Sequence, residues 1–309
     1  MSAVEHLRVS TAPGVDLHVV ATGPADGPVA LLLHGFPELA YSWRHQLAPL
    51  ADAGYRVLAP DLRGFGPSSR PEPIEAYDND ALRGDVLALM DHAGAGRAAV
   101  VGHDWGSSVA WHVALAAPER VACVVGMSVP AVPRAPAPPI AIMRRHLGED
   151  FYMVWFQEPG AAEAVLEADP RRTLATTKVW TEAWATSDDD PACPPFLSEE
   201  DLQVYVDAYT ETGFRGGLNY YRNVDRNWET GAAYDGRTID VPALFITGSR
   251  DPVAKFMPKE AMDGLVTDLR DAVVLEGAGH WVQQERPDEV NAALLSFLSA
   301  TFPAAASPR

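Results

Sequence analysis

Ala98-Ala99-Val100-Val101-Gly102-His103-Asp104-Trp105-Gly106-Ser107-Ser108-Val109-Ala110-Trp111 is the stretch on which the reading of this chain turns. The apolar run ending in Val100 and Val101 predicts a buried strand, Gly102 stops it, and the residues after Gly106 fit a helix. Between them stands Gly-x-Asp-x-Gly, the spacing of a Gly-x-Ser-x-Gly nucleophile elbow with a carboxylate in place of the hydroxyl. Glycines two residues either side of Asp104 lack the Cβ atoms that would collide where the chain doubles back. Asp104 is then expected at the open end of the strand on a strained backbone, with the amide of Trp105 aimed where an oxyanion would form. A plain turn with an Asp helix cap has the same spacing, so the rest of the chain decides.

Working outward, Val29 to Leu33 is an apolar strand that runs into His34-Gly35-Phe36-Pro37-Glu38, and Tyr55 to Ala59 is a strand followed by the loop Asp61 to Ser69. Helical spacing covers residues 43–53, around Pro49, and residues 78–93, through Leu82, Val86, Leu89 and Met90. Two alternating runs, His6 to Ser10 and Val15 to Ala21, flank Pro13-Gly14 and predict a hairpin. Val121 to Met127 is a further buried strand. Strands alternating with helices imply a mainly parallel sheet covered on both faces, whose carboxyl-edge loops are where such folds place their sites.

The alternation breaks at Ser128 to Pro139, which holds Pro130, Pro133, Pro136, Pro138 and Pro139 and suits neither helix nor central strand. From Ile140 to Trp228 the pattern is helical and rich in aromatics, and the sheet resumes at Val241 to Thr247 and Ala272 to Leu275. The expected organisation is a core of residues 1–130 and 230–309 with a helical cap, or lid, over 131–229.

A chain of 309 residues, 47% hydrophobic and 21% charged, has the composition of a soluble globular protein and the length of one large α/β domain with an insertion. Its net charge of −18 argues against nucleic acid or an anionic membrane surface as a partner. Cys123 and Cys193 are the only cysteines and make no disulfide framework. The N-terminal residues lack a basic stretch followed by an apolar core, and no run reaches membrane-spanning length, so a cytoplasmic location without membrane insertion is expected. With no metal-ligand cluster and no phosphate-binding glycine loop, no cofactor and no metal are expected.

Two further loops complete the elbow. Gly248-Ser249-Arg250-Asp251-Pro252 follows one strand and Glu276-Gly277-Ala278-Gly279-His280-Trp281 the next, giving the chain order nucleophile, acid, base. Asp251 is also a natural turn former before Pro252. After the strand ending at Met127 no rival acid stands, only Ser128 and Val129.

With these motifs in place, the chain resembles the epoxide hydrolases of the α/β-hydrolase fold, and especially the C-terminal hydrolase domain of mammalian soluble epoxide hydrolases. The likeness spans roughly residues 5 to 300. It rests on His34 to Glu38, Gly102 to Gly106, Phe151 to Gly160, Gly213 to Asn223 and Gly279 to Trp281. It implies a mostly parallel eight-stranded sheet with helices on both faces and an inserted cap. By the same resemblance Asp104 is the nucleophile, His280 the base and Asp251 its partner. Tyr152 and Tyr221 are the lid tyrosines that hold the epoxide oxygen, and the amides of Phe36 and Trp105 form the oxyanion hole. If the stretch around Tyr220 and Tyr221 is helical, adjacent residues point about 100° apart and only one faces the pocket; the resemblance favours Tyr221.

Met153, Trp155, Trp180 and Trp281 are candidate substrate contacts, although Met153, Trp155, Trp180 and Trp184 fit a pocket wall or the core of the lid equally well. Tyr205, Tyr209 and Tyr234 are read as packing or surface, and His34, Glu38, Arg63 and His103 as residues that shape loops.

The nucleophile restricts the chemistry. A serine attacking saturated carbon would make an ether that water does not readily cleave, whereas a carboxylate makes an ester. Expected partners are a small hydrophobic epoxide and water, with a homodimer open by analogy only. The alternative is a haloalkane dehalogenase, which shares the Asp nucleophile but needs N–H donors for a halide; Phe36 and the paired tyrosines fit a leaving alkoxide better. A fluoroacetate dehalogenase would want an Arg after the nucleophile, where Trp105 stands. A serine esterase is disfavoured by Asp104 at the elbow, and a binding protein on a dead hydrolase fold by the intact acid and histidine.

Overall fold

The computed structural model describes residues 3–176 and 191–304. It contains an eight-stranded sheet in the order β1-β2-β4-β3-β5-β6-β7-β8. The strands are β1 (Glu5–Ala12), β2 (Val15–Thr22), β3 (Val29–Leu33), β4 (Arg56–Pro60), β5 (Ala98–His103), β6 (Val121–Met127), β7 (Ala243–Gly248) and β8 (Leu269–Leu275). β2 runs antiparallel to both of its neighbours, and the remaining pairings are parallel. The central strands β3, β5, β6 and β7 are buried along their whole length, which is why they read as unbroken apolar runs rather than alternating ones.

Both faces are covered. Ala30, Leu32, Val57, Val101 and Val125 share one core with Trp43 and Leu50 near the N-terminal side and with Val290, Leu294 and Leu298 near the C-terminal side. Those partners belong to α1 (Arg44–Asp52), to the 3-10 turn Ala40–Trp43 before it, and to the C-terminal helix Pro287–Thr301. The opposite face packs on α2 (Asn79–His92) and α3 (Trp105–Ala116). Pro49 lies inside α1 and cannot donate to the carbonyl four residues back, that of His45. The Asn291 side-chain amide takes that carbonyl at 2.9 Å, so the proline is accommodated without an orphaned acceptor. β8 begins three residues earlier than its apolar pattern suggests, because Leu269-Arg270-Asp271 lies on an edge strand where charged side chains reach water.

Register fixes where the loops emerge. Leu33 pairs with Gly102, His103 with Met127, and Gly248 with Leu275. The loops carrying Phe36, Asp104, Ser128, Asp251 and His280 therefore leave the carboxyl ends of their strands at one edge of the sheet.

The chain divides into two compact units. The first holds the sheet and comprises Met1–Leu62, Asn79–Pro133 and Gly236–Arg309; the second comprises Arg63–Asp78 and Arg134–Asp235. The second unit is helical, with α4 (Pro139–Leu147), α5 (Tyr152–Trp155), α6 (Ala161–Leu166), α7 (Pro170–Ala175), α8 (Glu199–Thr212), α9 (Arg215–Arg222) and α10 (Val224–Gly231). Its two segments are tied by polar bonds. Arg215 forms a two-armed pair with Glu72, the Tyr220 hydroxyl donates to the Arg63 carbonyl, Asn223 donates to the Ile74 carbonyl, and Arg226 pairs with Asp78. Near the ends of the longer segment, Arg134 reaches Asp235 at 3.4 Å and donates to the Trp228 carbonyl at 2.7 Å. No helix among the described residues is long and apolar enough to cross a membrane.

Candidate active site

The elbow has the strained geometry its glycines foretell. Asp104 adopts φ 51° and ψ −117°, and only it and Ser128 have positive φ among the described non-glycine residues. A Cβ on Gly102 would lie 2.0 Å from the Gly106 carbonyl oxygen, and one on Gly106 would lie 2.0 Å from the Leu33 oxygen on the neighbouring strand. The two glycines thus allow different approaches: the chain against itself, and the elbow against β3. The strain at Asp104 costs on the order of 1–3 kcal/mol and persists because both approaches hold it.

Asp104 Oδ1 accepts a hydrogen bond from the Phe36 amide at 2.8 Å. The loop that supplies this donor contains a cis Phe36–Pro37 peptide. It is fixed from below by the Gly35 amide donating to Glu38 Oε2 and the Leu62 amide donating to His34 Nε2. Trp105 opens α3, and the first amide of a helix has no carbonyl within its own helix to donate to. The amides of Ser107 and Ser108 close the first turn on the Asp104 carbonyl.

His280 Nε2 faces Asp104 Oδ2 at 3.6 Å, while its Nδ1 donates to Asp251 at 3.0 and 3.1 Å. Asp251 is buried, and its Oδ1 also accepts the Val253 amide, so it caps the turn Pro252–Lys255 and holds the histidine at once. Burial pushes the Asp251 carboxyl up, but the His280 imidazole and the Val253 amide outweigh it and hold the carboxyl below the usual range. For His280, burial disfavours the charged ring, yet Asp251 and Asp104 together raise it well above an ordinary histidine.

The His280 loop is anchored on both sides. Its carbonyl accepts from Ser128 Oγ at 2.5 Å and from His103 Nε2 at 2.8 Å. Glu285 accepts the amides of Gly279 and Trp281, the residues flanking the histidine. His103 Nδ1 meets Glu38 Oε2 at 2.7 Å, and Glu38 also accepts from Gln283 and Gln284. The Gly35 amide and the Gln283 and Gln284 side chains donate to Glu38, and with His103 beside it its carboxyl is held well below the usual range, so it is a carboxylate. This buried pair joins the Phe36 loop to the His280 loop. The sequence reading of His34, Glu38 and His103 as loop-shaping residues agrees with these bonds, but the network itself has no local signal.

The second unit carries the tyrosines. Tyr152 and Tyr221 meet edge to face, with ring centroids 5.7 Å apart, and the Phe156 ring packs against both. Tyr220 points elsewhere: its ring packs on Phe65 and Tyr77 and its hydroxyl is committed to Arg63. Adjacent tyrosines on one helix thus have separate surroundings. Tyr205 and Tyr209 are buried, with Tyr209 stacked on Phe214, which is packing. Trp155 lies against Phe156, and Met153 occupies the same short helix α5. In the first unit, Trp281 meets the His280 ring edge to face at 5.3 Å. Trp180 and Trp184 fall outside the described residues.

Residues 28–287 match the α/β hydrolase fold family. A relative from Mycobacterium tuberculosis named epoxide hydrolase A is 49% identical over 94% of this chain and 97% of its own length. The chain belongs to the epoxide hydrolases of the α/β hydrolase fold. The bifunctional epoxide hydrolase 2 of Sus scrofa is similar to this hydrolase at 38% identity, over 96% of this chain and 56% of that longer protein. The crystal structure of epoxide hydrolase A from Mycobacterium thermoresistibile shares 47% identity and a TM-score of 0.89, covering 96% of this chain and 98% of that one. The resemblance expected from the motifs is therefore the family to which the hydrolase belongs.

Proposed function

We propose that this epoxide hydrolase opens small hydrophobic epoxides to vicinal diols in two steps through an ester on Asp104. The observation that carries the reading is the line Asp104, His280, Asp251, with the Phe36 amide already on one Asp104 oxygen. In the first step Asp104 Oδ2 attacks an oxirane carbon and the C–O bond to that carbon breaks. The phenols of Tyr152 and Tyr221 donate to the departing oxygen, and one of them supplies its proton. Residues 131–229 act as the cap that contributes this pair, and Met153, Trp155, Trp180 and Trp281 contact the apolar part of the substrate.

Esterification changes the charge beside His280. With Asp104 ionised, two carboxylates favour the protonated ring; once Asp104 is an ester, one of those charges is gone. His280 then gives up its proton more readily and serves as the base for water attacking the Asp104 carboxyl carbon. The oxygen held by the Phe36 amide becomes the oxyanion, joined by the Trp105 amide, each donor contributing roughly 3 kcal/mol. The proton that His280 gives up restores the tyrosine that donated one, and water's proton re-forms the imidazolium. The tetrahedral intermediate then collapses with cleavage of the bond from the Asp104 carboxyl carbon to the alkyl oxygen. The hydroxyl proton left on Asp104 passes to the departing diol oxygen, and the carboxylate is regenerated while Asp251 keeps the ring in place.

The test is one turnover of styrene oxide by excess enzyme in oxygen-18 water. Unlabelled diol, with label entering the Asp104 peptide, is expected. Labelled diol with an unlabelled enzyme would mean that water attacks the epoxide directly and Asp104 is a base. No diol would turn attention to haloalkanes and halide release.

A further inference from the structure

α5 is one turn of four residues, Tyr152–Trp155, too short to hold a helical conformation by its own hydrogen bonds. Something outside it must fix Tyr152 relative to Tyr221. The Gln157 carboxamide nitrogen donates to the Met153 carbonyl at 2.8 Å and to the Tyr221 carbonyl at 3.0 Å. Both acceptors are backbone oxygens, so the orientation of the amide group is settled by its partners. One side chain thereby holds the residue after Tyr152 and Tyr221 itself, its two N–H bonds directed at the two carbonyls. Arg222 adds a second tie: Nε donates to the Phe156 carbonyl at 3.0 Å while the guanidinium, almost wholly buried, grips Glu163 with two arms.

We infer that Gln157 is a positioning residue for epoxide opening, pinning the backbones that carry Tyr152 and Tyr221 so that both hydroxyls converge on one oxygen. The inference rests on the reading of these tyrosines as the pair that holds the epoxide oxygen. An O–H donor is effective only within a narrow range of distance and angle, and two donors on one acceptor narrow it further. A four-residue turn without its pin would let Tyr152 drift while each tyrosine keeps its hydroxyl. Gln157 makes no ion pair and needs no protonation change for this work, so its effect should fall on alkylation and not on hydrolysis of the Asp104 ester.

The experiment is a mutant cycle on the full chain, with Gln157→Met alone, with Tyr152→Phe/Tyr221→Phe, and with all three changes. Rapid-quench mass spectrometry follows formation and decay of the Asp104 ester from styrene oxide, and thermal melts check folding. Gln157→Met is expected to slow ester formation by roughly 10- to 100-fold, as small misplacements of reacting groups do. Ester decay should stay within about threefold, and adding Gln157→Met to the double phenylalanine variant should change ester formation by less than about twofold. Should Gln157→Met not fold, Gln157→Glu, which turns oxygen toward both carbonyls, takes its place with the same expectations. An equal loss in both backgrounds, or an equal loss in both steps, would mark a merely structural role and overturn the inference, as would no loss at all. Ester formation at full rate in the double phenylalanine variant would remove the tyrosine reading, and the positioning role with it.

Discussion

Gly35 is where a single methyl group should separate the fold from its chemistry. A Cβ built there would stand 2.3 Å from Asp104 Oδ1, 2.4 Å from its Cβ and 2.7 Å from its Cγ. Ordinary contact is near 3.5 Å, so the two must part by roughly 1 Å. Rotating the carboxylate does not help, because the clash includes the Asp104 Cβ, which is set by the strained elbow backbone. The Phe36 loop cannot simply retreat either, since Gly35 and His34 are held through Glu38 and Leu62. A 1 Å separation takes the 2.8 Å bond from the Phe36 amide to Oδ1 past hydrogen-bond range. Gly35→Ala should therefore slow ester formation by about 100-fold through misplacement of the nucleophile. It should slow ester hydrolysis by roughly 100- to 1,000-fold through loss of an oxyanion donor. The cost to folding should be about 1–3 kcal/mol, the usual range for overpacking. Rapid-quench measurement of both steps, with a urea titration alongside, checks this. A folded Gly35→Ala enzyme with both rates within threefold of the parent would refute the claim that the bare backbone at Gly35 seats Asp104.

Three further outcomes are expected. His280→Gln should still form the ester but hydrolyse it slowly, so a covalent adduct on Asp104 should accumulate in intact-protein mass spectra; its absence would contradict the two-step scheme. Tyr221→Phe should slow alkylation with little change in stability, whereas Tyr220→Phe should cost about 1–3 kcal/mol by stranding the Arg63 carbonyl, and the reverse pattern in melts and ester-formation rates would exchange their roles. Glu38 is buried, which alone would raise its carboxyl, but His103 and the surrounding donors hold it at about 2 against an ordinary 4.5. Its folded value is depressed, so its contribution to stability is whole above about pH 4.5 and disappears as pH falls toward 2. The urea-midpoint difference between the parent and Glu38→Gln should shrink across that window, and a constant difference would show that Glu38 is not ionised in the folded state.

Much of this was legible in the sequence where the physics is local. The central strands announce themselves as apolar runs because both of their faces are buried, and the Gly-x-Asp-x-Gly spacing is a direct statement about where Cβ atoms cannot be. The insertion shows as a proline-rich break followed by residues with no buried-strand pattern. Less legible were features made by distant partners. Nothing near Gln157 says that its amide will bridge Met153 and Tyr221, and nothing near Glu38 or His103 says that they form one buried pair. The separate surroundings of Tyr220 and Tyr221 follow from helical geometry, but only the Arg63 carbonyl tells which phenol is committed. Asp61 to Ser69 reads as an ordinary strand-end loop, and nothing local ties residues 63–78 to the helical unit, because the groups that bind them, Arg215, Tyr220, Asn223 and Arg226, lie about 150 residues away along the chain.

That two-segment construction of the helical unit bears on how such enzymes can be recombined. The longer segment leaves and re-enters the chain beside one ion pair, Arg134 with Asp235, and looks like a cassette that could be exchanged between homologous scaffolds at those two points. Moving residues 134–235 alone would leave behind the Arg63 and Ile74 carbonyls and the Glu72 and Asp78 carboxylates that its helices grip. The natural unit of exchange comprises two non-contiguous pieces. A chimera that carries Arg63–Asp78 together with its partner segment keeps those bonds, whereas a single-crossover library cuts through them.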